Sequence, residues 1–211
     1  MNKLPPLLNN RKSIRSVCLL LEGFEEEYYF KRLINMQIFS NNYKIKIINA
    51  KSASNLPAKY QEALASDTYS IVMIVCDFDR RSDAYHEVVR GVEDVIGNDN
   101  ACRIITFTRP CTLQIILYHF GDVTLTTQAK RAARGDVHRL TGVENYDAHQ
   151  DQLREICENI YYRSWGDMIK RLEQLSTNPN DVPSSNMKLL FTRLCSDDIS
   201  WIDEVNKSIF S

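Results

Sequence analysis

IVMIVCDFDRRSD, residues 71–83, carries six apolar residues without a break and then Asp77, Phe78, Asp79, Arg80, Arg81, Ser82 and Asp83. A strand with one wet face alternates. This one does not, so it reads as buried on both faces, as in a parallel sheet. Residues two apart in a strand project to the same side, so Asp77 and Asp79 face one point. Left bare, two such charges ~4 Å apart repel by about 1 kcal/mol in water and about 4 kcal/mol at a near-surface effective dielectric. A hard divalent cation converts that repulsion into ligation. Mg²⁺ (or Mn²⁺) prefers oxygen ligands, usually one or two carboxylates with water and substrate phosphate. The competing reading is structural: the two aspartates cap the next helix or pair with Arg80 and Arg81.

Working outward, SIRSVCLLLEG (13–23) reads as a strand ending in Glu22-Gly23, and YKIKIINA (43–50) and CRIITFT (102–108) as two more. Helical patterns lie between them: EEEYYFKRLINMQI (25–38), SASNLPAKYQEALAS (52–66) and DAYHEVVRGVEDVIG (83–97). PCTLQIILYHF (110–120) follows, with Pro110 expected at a first helical position. The alternation predicts an α/β fold: a mainly parallel four-stranded sheet over 13–21, 44–48, 71–76 and 103–107, flanked by helices. After residue 120 the patterns are helical: 127–139, 149–163, 165–175, 184–194 and 200–210. The expected organisation is an α/β core over 1–120 carrying a C-terminal helical part over 121–211.

The 211 residues suit one large domain, or one domain with an appendage. Formal net charge is −1, so nucleic acid would have to be bound by a local basic patch. No apolar run approaches the ~20 residues that span a bilayer, and no secretory h-region is visible, so a cytoplasmic location is expected. The six cysteines form no C-x-x-C pair and read as reduced thiols.

In an open α/β sheet, ligands bind outside the carboxyl ends of the strands. Glu22 ends the first strand, and Asp77 and Asp79 end the third. The topology therefore brings carboxylates from two strands to one edge. Without a G-x-x-x-x-G-K-[ST] the chain is not a P-loop ATPase. A haloacid-dehalogenase-type phosphatase would carry its D-x-D after the first strand, not the third. A receiver-like domain would need a late strand-end lysine, and none is visible.

These residues carry a resemblance. LEGFEEEYYF (21–30) resembles the E-G-x-T-E-x-x-Y-F opening of the RloB-like branch of the TOPRIM superfamily. VCDFDRRSD (75–83) matches that family's strand ending in D-x-D. TRPCTLQIILYHF (108–120) is similar to its S-N-P-C-F-E-x-W-L-L-L-H-F segment, and VPSSNMKLLFTRL (182–194) to its late P-S-T-x-x-x-x-L helix. The resemblance implies a TOPRIM-like core with Mg²⁺-dependent phosphodiester chemistry. It implies a nuclease of bacterial anti-phage defence, acting on RNA or DNA beside a partner ATPase. The implied catalytic residues are Glu22, Asp77, Asp79 and Glu26, with Glu22, Asp77 and Asp79 as metal ligands. This chain departs from the pattern: Glu25 stands for the family's Thr, Thr112-Leu113 for its Phe-Glu, Ile115 for its Trp and Arg109 for its Asn. Leu113 cannot ligate a metal. Either Gln114 or Glu27 substitutes, or the chain is a catalytically impaired TOPRIM-like subunit that binds a partner ATPase or nucleic acid.

Arg80 and Arg81 follow the D-x-D and suit phosphate contacts, with balancing of the acidic cluster as the alternative. QAKRAARGDVHR (128–139) is the densest basic stretch, so Lys130, Arg131 and Arg134 are the candidates for nucleic-acid backbone contacts, against a plain solvated face. His119 reads as packed or capping, with acid–base chemistry as the alternative. Tyr29 and Phe30 read as core, and Trp165 and Trp201 as packing anchors at helix starts.

Overall fold

The computed structural model describes residues 15–78 and 82–210. Asp79, Arg80 and Arg81 lie outside the described residues. The chain runs β1 (Arg15–Leu21), α1 (Phe24–Asn35), β2 (Tyr43–Asn49), α2 (Leu56–Ala65), β3 (Ile71–Asp77), α3 (Ser82–Ile96), β4 (Ile105–Arg109) and α4 (Leu113–Leu117). It continues with α5 (Lys130–Thr141), α6 (Gln150–Glu158), α7 (Trp165–Leu172), β5 (Ser184–Ser185), α8 (Met187–Cys195) and α9 (Ser200–Phe210).

The strands form one sheet in the order β2-β1-β3-β4-β5. β1, β2, β3 and β4 are parallel; β5 is antiparallel to β4. The fold is thus α/β as expected, but with five strands rather than four. The fifth comes from polar residues that read as helix. Ser184 and Ser185 pair with Arg109 and Thr108, and Asn186 prolongs the pairing with its side chain. Its Oδ1 accepts from the Phe107 amide at 2.8 Å, and its Nδ2 donates to the Ile105 carbonyl at 3.1 Å. An amide side chain here does what a strand backbone would do.

β3 is central and its first six residues are buried, which is why it shows no alternation. Sequence order against spatial order fixes where the helices go. β1 leads outward to β2, while β2 crosses back over β1 to β3 and on to β4. Right-handed crossovers then put α1 on one face and α2 with α3 on the other. The direction of winding reverses between β1 and β3, and such a switch point opens a crevice at the carboxyl ends of the strands.

On the α1 face, Tyr29, Phe30, Phe39, Trp165 and Phe191 build an aromatic cluster that ties α1 to α7 and α8. Trp165 and Phe191 lie edge-on, 5.0 Å apart. Trp201 packs edge-on against Tyr43. α4 begins at Leu113, three residues later than a helix opened by Pro110 would. All six cysteines are free; Cys18, Cys76, Cys111 and Cys157 are buried, and Cys102 and Cys195 are exposed. Among the described residues, no helix is long and apolar enough to cross a membrane.

Candidate metal centre

The switch point is lined with acid. β1 ends at Leu21, and the Glu22 amide still donates to the Val75 carbonyl, at 3.0 Å, so Glu22 is held beside the end of β3. A carboxylate oxygen of Glu22 in turn accepts the amide proton of Asp77, at 2.9 Å. Gly23, in extended conformation, is the N-cap of α1 and donates its amide proton to Glu26 Oε2 at 3.0 Å. That bond, the glutamate half of a capping box, points Glu26 back toward the strand ends. Glu25, Glu26 and Glu27 occupy the first helical turn, where backbone N–H groups favour negative charge.

Glu25 and Glu26 are both buried, and Asp77 is half-buried. One carboxylate oxygen from each of Glu25, Glu26 and Asp77 lies within 4.8 Å of the others. Asp77 Oδ1 accepts from the Thr112 amide at 2.9 Å and from the Thr112 hydroxyl at 3.1 Å. Glu25 Oε1 accepts from the Leu113 amide at 2.5 Å, and its Oε2 from the Lys130 ammonium at 3.0 Å. Each carboxylate of the cluster, Glu22 included, is therefore addressed by a backbone N–H. Such bonds offset part of the cost of burying charge.

The remaining cost shows in the proton affinities. Burial, then Glu25 and Glu22, push the Glu26 carboxyl up to about 7. Burial, then the charges of Glu26, Glu25 and Glu22, hold Asp77 well above the usual carboxylate range. Burial pulls the Lys130 ammonium down, but Glu25, Cys111 and Asp77 together outweigh it and Lys130 stays above its ordinary value. The cluster is acid-rich, crowded and only partly neutralised, which is the condition a divalent cation relieves.

The expected residues divide as follows. Glu22, Glu26 and Asp77 come together. Asp79 falls outside the described residues, as do Arg80 and Arg81. Glu25 was not among the expected ligands, yet it contributes an oxygen to the trio. Neither substitute foreseen for Leu113 reaches the site. The Gln114 side chain is fully buried and committed to the Val123 carbonyl and the Leu125 amide. Glu27 is committed to Lys31 and Asn49. Glu25 instead brings its carboxylate to the backbone of Leu113 itself. The signal in the sequence is the run of three glutamates after Gly23, whose middle and first members both fall on the strand side of α1. Of the basic stretch, Lys130 pairs with Glu25. Arg134 donates to the Tyr146 carbonyl at 2.8 Å and pairs with Asp147 at 3.1 Å. Arg131 is exposed.

His119 belongs to a different arrangement. Its Nδ1 lies 2.8 Å from Ser164 Oγ and its Nε2 3.0 Å from the Tyr29 hydroxyl. Ser164 donates its own proton to the Tyr161 carbonyl, so toward His119 it can only accept. Nδ1 therefore carries the ring proton and Nε2 accepts from Tyr29. Burial, with Arg171 nearby, lowers the imidazole to about 3. His119 is a neutral structural bridge, in agreement with its reading as a packed residue.

No model of a known protein family, no curated protein and no solved structure gives a significant match to the chain.

Proposed function

We propose that the chain is a metal-dependent phosphodiesterase of TOPRIM type, resembling the RloB-like branch, that cleaves RNA or DNA with Mg²⁺ or Mn²⁺. The observation that carries the reading is the convergence of Glu25, Glu26 and Asp77 oxygens within 4.8 Å at the switch point of the sheet. Ligand oxygens on opposite sides of one Mg²⁺ or Ca²⁺ lie about 4 to 5 Å apart, twice the ordinary bond lengths. The donor set is all carboxylate oxygen, which suits these hard cations and not a soft metal.

Glu25, Glu26 and Asp77 would hold the cation, with Glu22 beside them as a further ligand or as a general base. When bound, a divalent cation supplies polarisation of a phosphodiester oxygen and a lowered pKa of bound water. The other roles fall to the chain. Glu26, whose carboxyl is pushed up to about 7 in the metal-free cluster, would release its proton on ligating the cation, so metal binding would strengthen as pH rises through neutrality. Lys130 stays protonated and is suited to stabilise charge rather than to accept a proton. The role in anti-phage defence and the partner ATPase rest on the resemblance alone.

One observation favours a second reading, a cleavage-impaired subunit that binds nucleic acid or an ATPase. Lys130 already neutralises Glu25, and position 113 offers no carboxylate. The two readings part in one experiment. Purified protein is incubated with single- and double-stranded RNA and DNA in Mg²⁺, Mn²⁺ or EDTA, beside an Asp77→Asn control. Metal-dependent cleavage lost in the control supports the enzyme; binding of strands without cleavage supports the subunit.

A further inference from the structure

A cavity of about 300 Å³ opens where the chain leaves α6, lined among others by His119, Thr141, Asn159, Tyr161, Arg163 and Ser164. That volume is at the low end of small-molecule pockets. Of its lining residues Tyr161 is 58% exposed, and Tyr162, the next residue in the chain, is 69% exposed. Among the described aromatic side chains, only Phe24 and Phe210 are otherwise as much as 40% exposed. Arg163 lies over the Tyr161 ring, 5.9 Å from its centroid. Among the described residues, no carboxylate pairs with Arg163.

The rim is held from beneath. Arg32 donates from Nε at 2.9 Å, and also from a terminal nitrogen, to the Ile160 carbonyl. Ser164 donates to the Tyr161 carbonyl at 2.7 Å and is itself fixed by His119. The buried His119 bridge therefore has a use: it fixes the backbone from which the exposed rings project. Rings so presented lose little freedom on binding.

We propose that this cavity is a subsite for one unpaired nucleotide of a single-stranded nucleic acid. The base stacks on Tyr161, the backbone phosphate pairs with Arg163, and Tyr162 offers a second exposed ring to the neighbouring base of the strand. Aromatic rings bind bases of any identity through their faces, and a guanidinium matches phosphate geometry. Asn159, in the lining, supplies an amide for the edge of the base. The subsite is linked to the acidic cluster through α1, where Tyr29, the partner of His119, sits one turn beyond Glu25. The proposal rests on the reading of the chain as a nucleic-acid-binding protein, and it names a part of the substrate: unpaired, with its base accessible.

The test is run in EDTA, so that it does not depend on the metal centre. Fluorescence anisotropy measures binding of a labelled single-stranded oligonucleotide and of an abasic strand of equal length and charge. The proteins are wild type, Tyr161→Ala/Tyr162→Ala and Arg163→Ala. The double tyrosine variant is expected to weaken the base-bearing strand roughly five- to 150-fold and to leave the abasic strand unchanged. Arg163→Ala is expected to weaken both strands and to lower the salt dependence by about one phosphate contact. Both rings are exposed, so thermal midpoints should match wild type and report intact folds. Equal affinity of the wild type for the two strands, or unchanged binding in the double variant, overturns the proposal. Loss of Mn²⁺ binding or cleavage alone would overturn the metal centre and leave this subsite standing.

Discussion

Glu25 is shared between two partners: one oxygen accepts the amide proton of Leu113 at 2.5 Å, and the other holds the Lys130 ammonium at 3.0 Å. The first bond joins α1 to the start of α4; the second joins it to the start of α5. A single glutamate in the first turn of one helix thus fixes where two others begin. It also places a built-in cation at the edge of the acidic cluster.

From this pair comes a prediction about metal affinity. The Lys130 ammonium and a bound divalent cation would repel each other, so Lys130→Met should tighten Mn²⁺ binding by about tenfold in calorimetry. The side chain is about one-third exposed, so solvent screens the effect and larger changes are not expected. Weaker binding in the variant would mean that Lys130 holds Glu25 in its ligating position instead of competing with the metal.

Tyr146 offers a test of the core beside the cluster. Its ring is fully buried and, among the described residues, its hydroxyl has no hydrogen-bond partner. Burial, then the charge of Glu25, raises its pKa far above the ordinary value, so the phenol stays protonated. An unsatisfied buried hydroxyl costs about 1–3 kcal/mol. Tyr146→Phe should therefore be as stable as wild type or more so, by up to about 2 kcal/mol in urea denaturation. A loss above about 1 kcal/mol would show that the hydroxyl has a partner, such as an ordered water.

His119 predicts a dependence on pH. Its folded pKa, about 3, is below the unfolded value near 6.5, so between these values the unfolded chain binds a proton that the folded chain does not. Stability then falls as pH falls, by about 1.4 kcal/mol per pH unit through that window. Comparison with His119→Gln cancels the contribution of the carboxylates. The wild type should lose stability relative to the variant on going from pH 7 to pH 5. Parallel curves would mean that the imidazole is accessible to protons in the fold.

Much of this architecture is legible in the sequence, and the illegible parts share a cause. β3 was readable because burial on both faces writes an unbroken apolar run. Glu22 and Asp77 were readable because they end strands, and strand ends in a parallel sheet have a known destination. Glu25 was not, because its partners, Leu113 and Lys130, lie 88 and 105 residues away and meet it only once α4 and α5 are packed. β5 was not, because two serines carry no strand pattern; they pair through backbone groups and the Asn186 side chain. Lys130 looked like part of a basic face until its ammonium found a buried carboxylate.

The last prediction concerns Asp77, where the structure changes what a substitution should cost. Crowding alone suggests that removing this carboxylate relieves repulsion and costs the fold little. Yet Asp77 Oδ1 also accepts two hydrogen bonds from Thr112, which is fully buried. Asp77→Ala removes the charge and leaves the Thr112 amide without an acceptor, at about 1–3 kcal/mol. Asp77→Asn removes the charge and keeps an oxygen in place to accept both bonds. The asparagine variant should thus be more stable than the alanine variant, and more stable than wild type at neutral pH in EDTA. The sign against pH follows from the raised pKa of Asp77. Its ionised form is disfavoured in the fold, so wild type loses stability relative to Asp77→Asn as pH rises above about 4. Both variants should lose the rise in thermal midpoint that Mn²⁺ gives the wild type. A metal-induced shift retained in Asp77→Asn would remove Asp77 from the ligand set, leaving it a cap on the segment that leads into α4.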